Sequence, residues 1–276
     1  MPALLSTGAR REGKGEATMG EGTRGWREVI DHCRFGPSRG RGGDAIVPVV
    51  AGGAAHAERI PMLAQIVLFD GFDPLDAIAP YEVLSAGGLA AGGALRVELV
   101  SLEGAREVPS GTGTLRIAAT AALDPERADI VIVPGAAGPA GGEGPDTIPA
   151  LLARAVQSGL TPVLARALEK PGLTTATVCG GSLVLAMAGL LTGRHAVTHH
   201  LGMDVLAAMG AFAVAARVVD DGNLVSAGGV TSGLDLAIYL LERELGPRIA
   251  HAVESLFAYE RRGTVWRAVG PEPLAP

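Results

Sequence analysis

The sequence predicts an α/β fold built on a mostly parallel sheet, and two observations predict it. From residue 64 onward, short β-rich runs alternate with helical patterns, as happens when strands are joined by crossover helices. Several runs are almost wholly apolar, Ala64–Phe69 (AQIVLF) and Asp129–Val133 (DIVIV) among them, as expected for strands covered on both faces.

The elements follow in order. Ala64–Phe69 is the first strand, stopped by Asp70-Gly71, and Leu75–Ala86 reads as the next helix with Asp76 in its first turn. Leu95–Ser101 is a second strand, Leu115–Ala119 a third, and Asp129–Val133 a buried strand ended by Pro134-Gly135. Thr147–Gln157, entered by an Asp146-Thr147 cap signal, and Thr161–Glu169 read as helices. Leu173–Val178 is a strand followed by a helix over Ser182–Leu191. Arg217–Asp220 and Asn223–Ala227 flank Asp221-Gly222, a two-residue hairpin signal. Ser232–Leu245 and Pro247–Tyr259 close the fold as helices.

A chain of 276 residues suits one domain or two. Residues 1–61 hold 9 Lys+Arg against 7 Asp+Glu and 12 glycines, whereas 62–276 hold 14 against 22. The first stretch has few periodic apolar runs and is expected to be a disordered extension, with Met62 expected as the true translation start. One domain is expected over 62–262, with a tail over 263–276. No secretory signal is read at the front. Residues 171–193 carry no charge and are long enough to span a bilayer. Their β-branched first half and central Cys-Gly-Gly-Ser fit strand, turn and buried helix better, so no membrane association is expected. A sequence pI near 5.5 with no basic stripe argues against nucleic acid as a partner. Two cysteines, Cys33 and Cys179, cannot build a disulfide framework; they suit a reducing compartment, and a cytoplasmic location is expected.

In such sheets the ligand sits outside the carboxyl ends of the strands, which directs attention to Asp70–Asp76, Pro134–Gly138 and Cys179–Ser182. Cys179 sits between the strand LTTATV and the helix GGSLVLAMAGLL. A thiol on that turn, near a helix N-terminus, is either a reactive nucleophile of lowered pKa or a buried inert cysteine. The turn resembles a nucleophile elbow, with Thr177-x-Cys179-x-Gly181 in place of the fuller G-x-[SC]-x-G. Gly135 and Ala136, in Val133–Gly138, either offer backbone amides to an anion or form an ordinary strand–helix turn. Asp73-Pro74 takes the capping role, which leaves Asp76 over as a buried carboxyl near the thiol, a candidate proton carrier. His195, His199 and His200 form H-x3-H-H, but no Cys, Asp or Glu between Cys179 and His200 completes a metal set. His199 instead polarises the thiol or lines the pocket, and His200 is pocket wall or surface.

With Cys179 on a strand–turn–helix and a leftover acid after the first strand, the sequence resembles the DJ-1/PfpI superfamily, part of the class I glutamine amidotransferase-like proteins, and within it the isonitrile hydratase-like branch. VLFDGFDPLDAIAPYEVL, DIVIVPGAAG, TVCGGSLVLAMAGLLTGRHAVTHH and DDGNLVSAGGVTSGLDLAIYLLE carry the resemblance, which covers about residues 62–262. It implies a flavodoxin-like three-layer sandwich, a homodimer, a small-molecule substrate, and neither metal nor organic cofactor. It also implies that Cys179 attacks an isocyanide carbon to give a covalent thioimidate, that Asp76 handles protons, and that amides of Ala136 and Gly180 stabilise charge. His199 matches the family's T-H segment, here Thr198-His199. Two departures stand out: Gly180 follows the nucleophile where isonitrile hydratases have Thr, and His200 replaces an aromatic residue.

Isonitrile hydration is therefore the expected activity. The alternatives are a glyoxalase-like reaction on methylglyoxal with the same groups, a DJ-1-like redox sensor in which the thiol oxidises, and a regulatory module. No helix-turn-helix pattern is read after the last helix, so regulation would require a separate DNA-binding partner.

Overall fold

The computed structural model describes residues 60–272 and 274; the expectations for 1–61 and for Cys33 lie almost wholly outside them. Ten elements build the framework: β1 (Met62–Leu68), α1 (Pro74–Ala90), β2 (Leu95–Ser101), β6 (Ile130–Val133), α2 (Ile148–Ala155), α3 (Thr161–Glu169), β7 (Thr174–Val178), α4 (Gly181–Met187), β11 (Leu224–Ala227) and α6 (Ser232–Leu245). Between them lie β3 (Arg106–Pro109), β4 (Arg116–Ala119), β5 (Ala121–Ala122), β8 (His195–Ala196), α5 (Met203–Ala208), β9 (Phe212–Ala213) and β10 (Val218–Asp220), and α7 (Pro247–Phe257) and β12 (Trp266–Arg267) follow.

The central sheet runs β12-β10-β11-β7-β6-β1-β2-β5, parallel throughout except where β10 meets β11. Its inner five strands, β2-β1-β6-β7-β11, keep the order 2-1-3-4-5 of the flavodoxin-like sandwich. Register is fixed by pairs such as Ile66 with Ile132 and Ile132 with Ala176. Ile66, Ile130, Ile132, Val178 and Val225 are all buried, which explains their apolar runs: both faces of the sheet are covered. Helices α1, α6 and α7 pack together as one layer, and α2, α4 and α5 form a second group.

Several sequence expectations need adjusting. The third strand does not join the central sheet: Arg116–Ala119 pairs antiparallel with Arg106–Pro109 in a separate ribbon. Between Ile148 and Glu169 the two expected helices are both present, as α2 and α3, and Gly159 at φ 95 breaks the helical backbone between them. By length and composition this run is apolar enough to cross a bilayer; here Leu151, Leu152, Leu160, Leu164 and Ala167 point into the core. Residues 171–193, by contrast, divide into β7, a turn and α4. Trp266–Arg267, inside the stretch read as a tail, forms the outermost strand beside β10.

Candidate active site

The carboxyl ends of β1, β6 and β7 converge, and the three strand-end segments singled out in the sequence meet there. At the first, Asp73 caps α1, its Oδ1 accepting from Leu75 N at 2.9 Å, with Pro74 at the first helical position. That frees Asp76, one turn further on, to point inward; it is fully buried. Its Oδ2 accepts the Gly135 N–H at 2.9 Å, and Oδ1 has no hydrogen-bond partner. Pro80 lies four residues on inside the helix and lacks the N–H that would otherwise bond the Asp76 carbonyl.

Cys179 has φ 55, a left-handed conformation rare for a side-chain-bearing residue. Such strain persists only where surroundings enforce it, and here they do. Cys179 N donates to Ala227 O at 2.9 Å, and its carbonyl accepts from Thr198 Oγ1 at 2.7 Å. The tight turn also needs Gly181, since a Cβ there would lie 2.0 Å from Val133 O. Ser182 Oγ donates to Val197 O at 2.6 Å, so in its 2.6 Å contact with Thr177 Oγ1 the threonine is the donor. Ser226 Oγ accepts from Val197 N at 2.9 Å. These buried hydroxyls, unremarked in the sequence, stitch the segment around Val197 to the elbow; their signal is small polar residues within otherwise apolar strand and helix runs.

The electrostatics set the two reacting groups apart. Burial, reinforced by the negative charge of Asp73, raises the Asp76 carboxyl to about 8, against the lowering effects of the Gly135 amide and the thiol. The thiol is pushed well above its ordinary range, first by burial and then by Asp76, with the Gly180 N–H pulling the other way. The thiol shifts up and not down as expected from the helix N-terminus, because burial and the adjoining Asp76 outweigh the one amide at the start of a short helix.

Cys179 opens onto a cavity of about 560 Å³, and Asp76 lies buried outside its lining. Its walls are mainly aliphatic, from Ile148, Leu152, Leu183, Met187, Val205 and Met209, with Ala136, Gly180, His199 and Asp73 supplying polar atoms. Ala136 N donates no hydrogen bond to another described residue, so it remains available to a ligand. Gly135 corrects the expectation that its amide would stabilise an anion: that N–H is held by Asp76. Thr198 is not pocket wall but the buried clamp on the Cys179 carbonyl. His200 is exposed and outside the cavity lining, stacked on His199 with ring centroids 4.1 Å apart. His199 does line the cavity; its Nδ1 accepts from Leu201 N at 3.3 Å, which places the neutral ring's proton on Nε2, and burial keeps its pKa below the ordinary value, aided by His200. The groups that act on the thiol are Asp76, Asp73 and the Gly180 amide, not His199. Among the described residues, no three His, Cys, Asp or Glu side chains cluster to hold a metal ion.

Residues 62–243 match the model of the DJ-1/PfpI family. The chain is 34% identical over 193 residues to an isonitrile hydratase of Pseudomonas putida, covering 70% of this chain and 76% of that protein. It is also 32% identical over 219 residues to the HTH-type transcriptional regulator GbdR of Pseudomonas aeruginosa, covering 76% of this chain but only 54% of the regulator. The crystal structure of Drosophila melanogaster DJ-1beta superposes with a TM-score of 0.61 at 21% identity, covering 73% of this chain and all of that one.

Proposed function

This chain belongs to the DJ-1/PfpI family, and on that premise we propose that it is a cofactor-independent, cysteine-dependent lyase that hydrates isonitriles to N-substituted formamides. The observation that carries the reading is a buried carboxyl, raised to about 8, beside a buried thiol at the floor of an aliphatic cavity. An isonitrile suits this arrangement because its terminal carbon takes both a proton and a nucleophile, and its substituent is apolar.

The steps balance without any external reagent. Asp76 gives its proton to the isonitrile carbon while the Cys179 sulfur bonds to that same carbon and its proton passes to Asp76. The result is a thioimidate, Cys–S–CH=N–R, with the carboxyl again protonated. Water then adds across the C=N bond, its oxygen to carbon and a proton through Asp76 to nitrogen. The tetrahedral adduct collapses, breaking C–S, returning a proton to sulfur and releasing R–NH–CHO. The Gly180 N–H, directed at the sulfur, favours its departure, and the Ala136 N–H is the donor for charge that develops on the adduct.

Incubation of the wild type with a simple isonitrile should yield the formamide, and mass spectrometry should trap one isonitrile mass on Cys179. Cys179→Ala should abolish turnover. Activity retained by that variant, or none in the wild type, would sink the reading. A homodimer in the cytoplasm, with neither metal nor organic cofactor, is proposed alongside; a monomeric mass by light scattering would remove the dimer.

The 32% identity to a transcriptional regulator favours one second reading, a domain that binds a small ligand without turning it over. It predicts saturable binding to both wild type and Cys179→Ala with no product formed.

A further inference from the structure

Hydrolysis of the thioimidate consumes one water, and a water attacking carbon needs a base to take its proton. In the hydratase reading, on which this inference rests, Asp76 is protonated again by the time water attacks, so the base is another group. Of the side chains lining the cavity, Cys179, His199 and Asp73 can exchange a proton. The Cys179 sulfur is by then bonded to substrate. The His199 Nδ1 lone pair is taken by Leu201 N, and Nε2 carries the ring proton. Asp73 is left. Its backbone N–H donates to Gly135 O at 2.9 Å, while the N–H of that same Gly135 holds Asp76, so one residue after β6 positions both carboxyls. Pro74, at the first helical position, fixes the chain on the other side. Oδ1 of Asp73 is engaged by Leu75 N at 2.9 Å; among the described residues, Oδ2 accepts from no donor and meets no cation. The negative charge of Asp73 acts on both Asp76 and Cys179, which places the carboxylate close to the reacting atoms.

We infer that Asp73, besides capping α1, is a catalytic residue: through Oδ2 it orients the hydrolytic water and takes its proton, while Asp76 serves as the acid. The water oxygen bonds to the thioimidate carbon as one water proton moves to Asp73 and the Asp76 proton moves to nitrogen, giving Cys–S–CH(OH)–NH–R. On collapse the hydroxyl proton returns to Asp76, C=O forms, C–S breaks, and the sulfur takes the proton held by Asp73. Both carboxyls and the thiol regain their starting states, and no further reagent is consumed. The two acids thus divide the reaction: Asp76 serves both halves, Asp73 only the hydrolysis.

The test follows Cys179 by intact-protein mass spectrometry after mixing with a simple isonitrile on the acid side of neutrality, in wild type and Asp73→Asn. Asparagine is as good an N-cap as aspartate, so α1 is retained, and thermal midpoints check that the variant folds. Asp73→Asn should form the thioimidate no more slowly than wild type but break it down about 10²–10⁴-fold more slowly, so that the adduct accumulates. Asp73→Ser, which also caps a helix, should do the same. Unchanged breakdown in Asp73→Asn overturns the inference, as does an equal loss in both steps, the mark of a structural role. If wild type turns over no isonitrile, the hydratase reading fails by itself. The probe is then p-nitrophenyl acetate, which acylates a thiol and leaves a thioester for water to cleave. Asp73→Asn should slow acetate release from Cys179 by about tenfold or more; equal rates, or no enzyme-catalysed release in wild type, would overturn the assignment of Asp73.

Discussion

Asp76 is placed where two demands conflict. Its Oδ2 is anchored by the Gly135 amide, which favours the charged form, yet complete burial and the nearby Asp73 charge win and raise it to about 8. A carboxyl with that value gives up a proton readily at neutral pH and is still protonated when substrate arrives. Activity should therefore hold from acid to neutral pH and decline above about 8, where the carboxyl ionises. Asp76→Asn keeps an acceptor for Gly135 but removes the transferable proton, and kcat should fall by about 10²–10⁴-fold. Stability carries the same sign. The folded carboxyl binds its proton more tightly than the unfolded one, whose value is 3.8, so its contribution is fully present below that value and is lost as pH rises through about 8. The difference in thermal midpoint between wild type and Asp76→Asn should thus shift in favour of the variant between pH 4 and pH 8; a difference independent of pH would refute the assignment of the shift to Asp76.

At the level of elements, β1, β6 and β7 could be read from the sequence because strands buried on both faces need apolar residues at every position. Hidden elements have equally physical reasons. β5, β8, β9 and β12 are two residues each, too short to show any period. Helix α1 was expected to stop at Ala86 but runs through Gly87 and Gly88 to Ala90, because these glycines serve packing, not a turn. A Cβ at either would lie 2.2 Å from its neighbour, the Leu241 side chain and the Leu95 carbonyl oxygen respectively. The site was legible to a similar degree. Strand ends located Cys179 and Asp76, whereas the commitment of the Gly135 amide to Asp76 and the position of Thr198 behind Cys179 depend on contacts across 59 and 19 residues. Ser182 belongs to this second group. Ser182→Ala would strand the Thr177 hydroxyl and the Val197 carbonyl in the core and should cost about 1–3 kcal/mol, read as a lower urea midpoint at unchanged m-value. Gly181→Ala presses a methyl onto the β6 backbone at Val133; it should lose about 1–3 kcal/mol or more and displace the elbow, so that activity falls even in the protein that folds.

Across the whole molecule, the chain after α7 acts as a strap over the sheet edge rather than as a free end. Tyr259 Oη and Arg262 N both donate to Asp235, at 3.0 and 2.8 Å, while Arg217 Nε holds the same carboxylate at 2.7 Å. Asp235 thus joins the edge of the β10–β11 hairpin to the segment after α7. Further along, Trp266 pairs with Val219 and stacks on His195 with centroids 4.9 Å apart. His195 in turn contacts Asp221 Oδ1 at 3.2 Å. Arg267 Nε lies 3.6 Å from Asp220, a nearly buried carboxylate that also accepts from Tyr239 and from Gly222 N. The sequence concealed this because the fastening is made by single residues in a Gly- and Pro-containing stretch. Ending the chain after Arg262 would leave Asp235 with its partners but strip Trp266 from His195 and the outer strand from β10. The loss should be about 1–3 kcal/mol, appearing as a lower thermal midpoint, and Trp266→Ala should reproduce part of it. Cys179 is reached through Thr198, whose segment starts at His195, so the truncated chain should also alkylate faster at Cys179 with iodoacetamide. An unchanged midpoint together with an unchanged alkylation rate would mean that the outer strand contributes nothing to holding the elbow.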